Sequence, residues 1–205
     1  MVEKIFRFRD GPLRVRPPEE IVYGTGRCAL GPVLVASSNK GIVTIMIRDK
    51  ADQLLRDLRS RFPKAILARN EEESRDAVVK VIEYIAAPFG RFGLPLDMRG
   101  TDFQQSVWRE VRKIPIGQTS SYSKIAEAIG SPRAVRAVGS SCTHCWFSFA
   151  VPCHRVLRKG DADRARHDRR DARRYRWVEY EANLLAKREK AQSRRPLTPS
   201  ISGGA

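Results

Sequence analysis

The sequence predicts an α/β protein of two small domains, with a small antiparallel sheet and helices in the N-terminal half and a mostly helical C-terminal half. Short β-branched runs separated by glycine-containing turns occupy 21–48. Apolar residues recur at helical spacing in 51–86 and again in 101–142, and a stretch rich in proline and glycine lies between them. With 205 residues, 41% of them hydrophobic and 30% charged, the chain has the size and composition of a globular protein.

The N-terminal half begins with a charged, proline-containing stretch, 1–19, which we interpret as a flexible basic arm. Three β-branched runs then predict an antiparallel meander, with strands over 21–23, 33–35 and 42–45. Apolar stripes predict two helices, over 51–62 and 72–86. We place the N-terminal α/β domain at 20–92.

The C-terminal half opens with a capping-box pattern, in which Thr101 precedes Gln104 by three residues. This pattern predicts a helix over 103–114, and a shorter helix should follow over 123–129. The Gly130-Ser131-Pro132 turn supplies an N-cap and a first-turn proline, so we expect the next helix at 133–142. We place this domain at 97–190 and a disordered tail at 191–205.

Charge and helix spacing in the second half favour nucleic acid as a partner. Two short helices joined by a glycine-containing turn form a helix-turn-helix outline, from which Arg133 and Arg136 should project. The net charge of +16 favours a polyanion, with nucleic acid ahead of an anionic membrane surface. Small residues such as Ala137 would let this helix approach a groove closely. A solvated basic surface is the alternative explanation.

No apolar run reaches the roughly 18 residues of a membrane span, and the charged start lacks a secretory signal core.

The most informative segment surrounds one of four cysteines. We interpret 147–151 as a strand-like run that delivers Cys153 behind a proline, directly before His154 and Arg155. A neighbouring imidazole and a positive field lower the pKa of a thiol and favour the nucleophilic thiolate. A buried structural cysteine is the plainer alternative. A zinc site using Cys142 and Cys145, with His144, Cys153 and His154 nearby, is a weaker one, because no second pair of ligands follows at the expected spacing.

Five motifs, in order, then resemble one protein family. They are Phe103-Gln104-Gln105-x-Val107-Trp108, Ile114-Pro115-x-Gly117, Ser121-Tyr122, Arg136-Ala137-Val138 and Pro152-Cys153-His154-Arg155-Val156. Together they resemble the O6-alkylguanine-DNA alkyltransferases, also called methylated-DNA–protein-cysteine methyltransferases. The resemblance runs from about residue 20 to 190 and is strongest over 97–158. It implies a ribonuclease H-like N-terminal domain and a winged-helix-like helix-turn-helix in the C-terminal domain.

The resemblance also implies a function and a set of roles. The family moves the alkyl group irreversibly from O6-methylguanine, and from O4-methylthymine, in double-stranded DNA to one cysteine, here Cys153. It needs no cofactor or metal, and we expect a cytoplasmic monomer, nucleoid-associated if bacterial, with no membrane partner. His154 would accept the thiol proton through a water, with Glu189 as its carboxylate partner, and Tyr122 would protonate the leaving guanine. The implied DNA contacts are Arg136, which fills the gap left by the flipped base, with Arg133, Tyr122 and Ala137. The implied substrate pocket is Val156, Tyr175, Cys145 and Ser148.

Three positions depart from the family pattern. Cys145 stands eight residues before the nucleophile, where the family has an asparagine. The loop at 160–174 is longer and rich in Asp and Arg. Counting from Tyr175 without gaps places the family glutamate at Glu189, whereas alignment on Leu184 and Leu185 places Arg188 there. A non-catalytic lesion-binding or methylation-responsive regulator is therefore the alternative function, and a basic helix-turn-helix domain with structural cysteines is a third.

Overall fold

A computed structural model describes residues 18–158 and 172–193, and within the second range it describes the side chains of 176–190. The predicted arm up to residue 17, most of the loop at 160–174 and the tail beyond 193 lie outside the described residues. The first residues of the predicted tail, 191–193, continue the last helix rather than leaving it.

The N-terminal half contains a four-stranded sheet, β1 (Glu20–Cys28), β2 (Gly31–Ser38), β3 (Gly41–Ile47) and β4 (Ile66–Arg69). The strand order is β3-β2-β1-β4, and the first three strands form the predicted meander. However, β4 pairs with β1 in parallel, so the sheet is mixed and the prediction of an antiparallel sheet is wrong. After β3, a helix carries the chain back across the sheet. The next strand, β4, therefore lies along the outer edge of β1 and runs in the same direction as β1.

Two helices cover the two faces of this sheet, α1 (Ala51–Arg61) and α2 (Glu71–Ala86). Successive strand side chains point to opposite faces, so neighbouring positions of β2 enter different cores. Leu34 packs with Leu58 of α1, and Val35 packs with Val81 of α2. Asn70 caps α2 by accepting a hydrogen bond from the backbone N–H of Glu73. Both predicted helices are confirmed to within one residue.

The C-terminal half contains α3 (Asp102–Val111), α4 (Tyr122–Ala128), α5 (Val135–Thr143) and α6 (Ala172–Ser193). The capping box at Thr101 is confirmed, since its hydroxyl and the Gln104 side chain each bond the other residue's backbone. Helix α5 begins later than predicted. Its N-cap is Ala134 and has no side-chain cap, so the expected role of Pro132 as its first-turn proline is wrong. The Trp108 indole N–H donates to the Ser141 carbonyl at 3.0 Å and joins α3 to α5.

The segment before Cys153 lies against the edge of the N-terminal sheet. Phe147 forms a parallel bridge with Ile45, and the Trp146 carbonyl accepts the Ile45 N–H at 2.7 Å. The buried Thr44 hydroxyl donates to the same carbonyl at 2.9 Å. The predicted strand-like run is therefore one bridge followed by a turn, in which Phe149 takes a φ of 64°. One hydrophobic core accordingly extends through both halves.

Candidate active site

Cys153 lies at the start of a 3-10 turn, Cys153–Arg155, at the centre of the C-terminal half. Its backbone N–H donates to the Val151 carbonyl at 2.7 Å, and its side chain is 8% exposed. The turn leads directly into β6 (Val156–Leu157), which pairs in parallel with β5 (Ser120–Ser121). The cysteine is thus fixed between the sheet edge on one side and this two-stranded ladder on the other.

Two further thiols lie against Cys153. The side chains of Cys142 and Cys145 are within hydrogen-bonding reach of its sulfur, and these contacts, followed by burial, raise the pKa of Cys153 well above its usual value. A thiolate on Cys153 would be buried beside two other sulfur atoms, so the protonated form of Cys153 is favoured. The expectation of a lowered pKa is therefore wrong. The thiol needs a base.

His154 and Arg155 share a buried carboxylate, Glu181 of α6. The Glu181 side chain is almost fully buried, its Oε1 atom lies 2.9 Å from His154 Nε2, and Arg155 donates to both of its oxygens at 2.7 and 2.9 Å. Burial raises the pKa of Glu181, but the hydrogen bonds from His154 and Arg155 outweigh it, so the net shift is downward. A carboxylate only accepts hydrogen bonds, so His154 carries a proton on Nε2. When the imidazole is neutral, its basic nitrogen is Nδ1.

Glu181 corrects the predicted partner of His154. Glu189 lies eight residues further along α6, about 12 Å at the helical rise of 1.5 Å per residue, and its side chain is exposed. The apolar stripe of α6 indicates the correct residue, which alignment on Tyr175 does not. Glu181 follows the buried Trp177 by four residues and precedes Leu184 and Leu185 by three and four, so it lies on the apolar face.

Aromatic rings hold the imidazole from the side. The His154 ring centroid lies 4.8 Å from Phe149 and 5.6 Å from Trp177, which meets it nearly edge-on at 83°. Phe149 and Trp177 are themselves 5.3 Å apart. A positive φ is costly for a bulky residue, and Phe149 adopts it where its ring fills this cluster. Neither Phe149 nor Trp177 is among the site residues predicted from the sequence.

The proposed DNA-contacting residues lie on α4, on α5 and in the turn that joins these two helices. Tyr122 is the first residue of α4, directly after β5, so the β5–β6 ladder carries it next to the segment that follows Cys153. Arg136 and Ala137 are exposed in the first turn of α5, while Val138 on its other face is buried. Arg133 is exposed too, but it lies two residues before α5 and not on the helix as predicted. The Tyr122 ring borders Gly139, where an added Cβ would stand 4.0 Å away.

Of the four predicted pocket residues, three have side chains that the structure describes. Val156 is buried beside the turn, Cys145 is half-buried against the nucleophile, and the Ser148 backbone N–H donates to the Ile45 carbonyl at 3.1 Å. The side chain of Tyr175 lies outside the described residues. His144, a member of the zinc alternative, is exposed and bonds the Ser140 carbonyl of its own helix.

The described residues contain neither a candidate metal site nor a candidate membrane-spanning helix. Over 18–158 and 172–193, no group of three or more His, Cys, Asp or Glu side chains has an arrangement that could hold a metal ion. Within the same ranges, no helix combines the length and the apolar character needed to cross a bilayer.

Comparison with known proteins identifies similar sequences along most of the chain. Residues 102–182 match the family described as 6-O-methylguanine DNA methyltransferase, DNA binding domain. The bifunctional transcriptional activator/DNA repair enzyme Ada of Escherichia coli is 38% identical over 195 residues, which are 95% of this chain and 51% of that protein. The chain therefore spans about half the length of this relative.

A shorter relative and a solved structure are covered more completely. The inducible methylated-DNA–protein-cysteine methyltransferase of Bacillus subtilis is 37% identical over 126 residues, which are 61% of this chain and 70% of that protein. The crystal structure of Mycobacterium tuberculosis OGT in complex with DNA superimposes with a TM-score of 0.63 at 29% identity. That superposition covers 80% of this chain and 94% of the mycobacterial one.

Proposed function

Because the chain belongs to the methylated-DNA–protein-cysteine methyltransferase family, we propose that it repairs alkylated DNA by direct reversal. The substrate is O6-methylguanine, and also O4-methylthymine, in double-stranded DNA, and the acceptor is Cys153. Transfer is irreversible, so each molecule acts once and needs no cofactor. The observation that carries this proposal is the buried Cys153 directly followed by His154, whose ring is held by Glu181.

The proposed reaction is an in-line displacement at the methyl carbon. A sulfur–carbon bond forms to Cys153 as the carbon–O6 bond breaks, and the thiol proton passes to His154 Nδ1 through a water. Glu181 orients the imidazole and stabilises its cationic form, as the third group of a nucleophile–base–orienter arrangement does. Tyr122 donates a proton to the departing guanine, which leaves as the unmodified base.

The raised pKa of Cys153 fits this mechanism. A thiol that keeps its proton in the free protein is protected from stray electrophiles and oxidants, which react with the thiolate. The nucleophile then forms only when the base and a substrate are both in place. Burial of the sulfur also lowers the competition from water during the displacement.

We propose that α4 and α5 form the helix-turn-helix and bind the duplex. The exposed Arg136 fills the space of the flipped nucleotide, while Arg133 and Ala137 contact the strand beside it. We assign a winged-helix-like domain to 97–190 and a ribonuclease H-like domain to 20–92. We infer that the protein acts as a monomer in the cytoplasm, as the family resemblance implies, and at the nucleoid in a bacterium, where its DNA substrate lies.

The test is the mass of the intact protein after incubation with duplex DNA carrying O6-methylguanine. We expect a gain of about 14 Da, one methyl group replacing a hydrogen, in a stoichiometric burst without turnover. Peptide mapping should place the methyl on Cys153, and Cys153→Ser should abolish the gain, whereas Cys28→Ser in β1 should retain it. A methyl group on Cys142 or Cys145 would contradict the assignment, and an unchanged mass would contradict the activity.

A further inference from the structure

Three of the four cysteines converge on one buried point, and the mechanism uses only one of them. The Val151 carbonyl accepts the Cys153 N–H at 2.7 Å and also faces the Cys145 sulfur at 3.9 Å, so these two residues share one anchor. The thiols of Cys142 and Cys145 both reach the Cys153 sulfur. A methyl acceptor needs one thiol, and two thiols in contact are the reactants of a disulfide.

We propose that Cys145 and Cys153 form a reversible disulfide when the protein meets a peroxide, so that the acceptor cysteine is also a site of oxidative modification. The bond itself is independent of the proposed function, whereas its effect, suspended methyl transfer, rests on it. The disulfide is a modification of the free protein, and a dithiol reductant reverses it.

Exposure decides where the oxidant enters. Cys142 and Cys153 are 3% and 8% exposed, while Cys145 is half-buried and follows the C-terminus of α5. Peroxides react with thiolates that solvent can reach, so Cys145 is the first residue attacked. Burial and proton retention by Cys153 delay direct oxidation of the acceptor.

Geometry decides which thiol resolves the oxidised one. Cys142 lies within α5, whereas Cys145 lies beyond the last residue of that helix, Thr143, on the segment that leads to Cys153. The Cys145 sulfur and the Cys153 backbone N–H meet the same Val151 carbonyl, which keeps these two residues side by side. Cys153 lies on a separate turn whose side chain already contacts Cys145. It is the favoured partner.

The chemistry balances with the peroxide as a two-electron oxidant. The Cys145 thiolate attacks one peroxide oxygen, the oxygen–oxygen bond breaks, and Cys145 becomes a sulfenic acid as water leaves. The Cys153 sulfur then attacks the sulfenic sulfur, the sulfur–sulfur bond forms, and the hydroxyl leaves as a second water after taking the thiol proton. Two thiols and one hydrogen peroxide give one disulfide and two waters.

The expected consequence is protection of the acceptor during oxidation. A disulfide stops the oxidation of Cys153 before the sulfinic acid, which thiol reductants do not reverse. Without Cys145, the same dose should carry Cys153 to that irreversible state. Oxidation of Cys153 is then reversible, and a reductant restores its capacity to accept a methyl group.

The experiment treats the full-length protein with limiting hydrogen peroxide, divides the sample, and adds dithiothreitol to one half. In the half without dithiothreitol, we expect the protein mass to fall by about 2 Da. Digestion of this half under non-reducing conditions should yield a cross-linked peptide containing Cys145 and Cys153. The reduced half should recover its methyl-transfer capacity on methylated duplex. In Cys145→Ser, recovery relative to that variant's own unoxidised activity should fall about tenfold, with a gain of about 32 Da on Cys153.

Two matched variants separate the outcomes. Cys28→Ser, outside the cluster, and Cys142→Ser, inside it, should both keep the cross-link and the recovery. A Cys142–Cys145 peptide, or recovery lost in Cys142→Ser but kept in Cys145→Ser, would overturn the pairing. If the cross-link forms but methylated DNA never labels Cys153, the proposed function fails and the disulfide stands. If labelling occurs without any cross-link, only the disulfide fails.

Discussion

Replacing Glu181 by glutamine removes the negative charge from the carboxylate that holds both His154 and Arg155. The side chain keeps its size, so packing against the aromatic cluster is preserved. The carboxylate accepts three hydrogen bonds, one from His154 and two from Arg155, all in a buried site. The amide retains one acceptor oxygen and turns its NH2 group toward a neighbouring donor. At least one bond is therefore lost, and the guanidinium has no counter-charge.

These contacts determine how much stability and how much methyl-transfer rate Glu181→Gln should lose. Breaking a buried ion pair by removing one partner costs about 3–5 kcal/mol, and the remaining acceptor oxygen of glutamine places Glu181→Gln near the lower end, about 3 kcal/mol. For a protein of this length, that loss lowers Tm by about 6–12 °C. General-base catalysis contributes about 10²–10⁴-fold, and we expect a poorly oriented His154 to forfeit about 10–100-fold of the methyl-transfer rate.

The assay measures single-turnover transfer from a methylated duplex to the protein below the lowered Tm, alongside thermal unfolding. Glu189→Gln is the matched control, because the same change on the exposed part of the same helix should alter stability by no more than about 0.5 kcal/mol and leave the rate unchanged. If Glu189→Gln slowed transfer while Glu181→Gln did not, Glu189 would be the partner of His154 and the reasoning from the buried triad would be refuted.

The pH dependence of stability gives an independent readout. The folded-state pKa of Glu181 is lowered, so its contribution to stability is fully present above the ordinary glutamate pKa and is lost as pH falls through the folded value. The difference in unfolding free energy between the wild type and Glu181→Gln should therefore narrow in acid. A difference that stayed constant into acid would show that the carboxylate is not the charged member of this cluster.

Four further outcomes follow from the same geometry. Thr44→Val should slow single-turnover transfer with unchanged DNA affinity and cost about 1 kcal/mol of stability, and Thr44→Ser should restore the rate, since its hydroxyl can bond the Trp146 carbonyl. Arg136→Ala should reduce repair more than duplex binding measured by anisotropy across a salt series; equal losses would contradict base replacement. The transfer rate should rise with pH through about 8.5, the ordinary thiol pKa, and beyond, because the pKa of Cys153 is raised; a flat profile would contradict this. Cys145→Asn should speed transfer at neutral pH, because an amide can donate to the Val151 carbonyl and one thiol that raises the pKa of Cys153 is removed; an unchanged or slower single-turnover rate would show a site adapted to the thiol.

Local signals in the sequence were enough for most helices and strands. The capping box at Thr101, the stripe through Leu54 and Leu58, and the glycine turns of the meander act within a few residues, so a single sequence displays them. The strand β4 is different. Its four residues are partly exposed at a sheet edge, and it exists because Ile66 can pair with Glu20, 46 positions earlier. No short-range pattern encodes that pairing.

The turn before Cys153 is a second feature that short-range sequence patterns do not predict. An apolar run after a helix is consistent with a strand, yet within this run only Phe147 makes a bridge, to Ile45 on the edge of β3. The chain then turns at Phe149, whose positive φ no side-chain preference predicts. Tertiary contacts with His154 and Trp177 maintain it.

The partner of His154 was missed because an alignment anchor and a packing requirement gave different residues. Counting from Tyr175 assumes that the long loop changes nothing beyond its own end, whereas the helix must present an apolar face to the core. Trp177 is buried, and a carboxylate that reaches a buried histidine has to lie on that same face, which four-residue spacing assigns to Glu181. An exposed carboxylate such as Glu189 has no buried cation to neutralise. The burial periodicity of α6 therefore predicts the carboxylate partner of His154 better than the distance from the loop does. The reason is that this carboxylate must lie on the buried face of the helix, which excludes most positions along it.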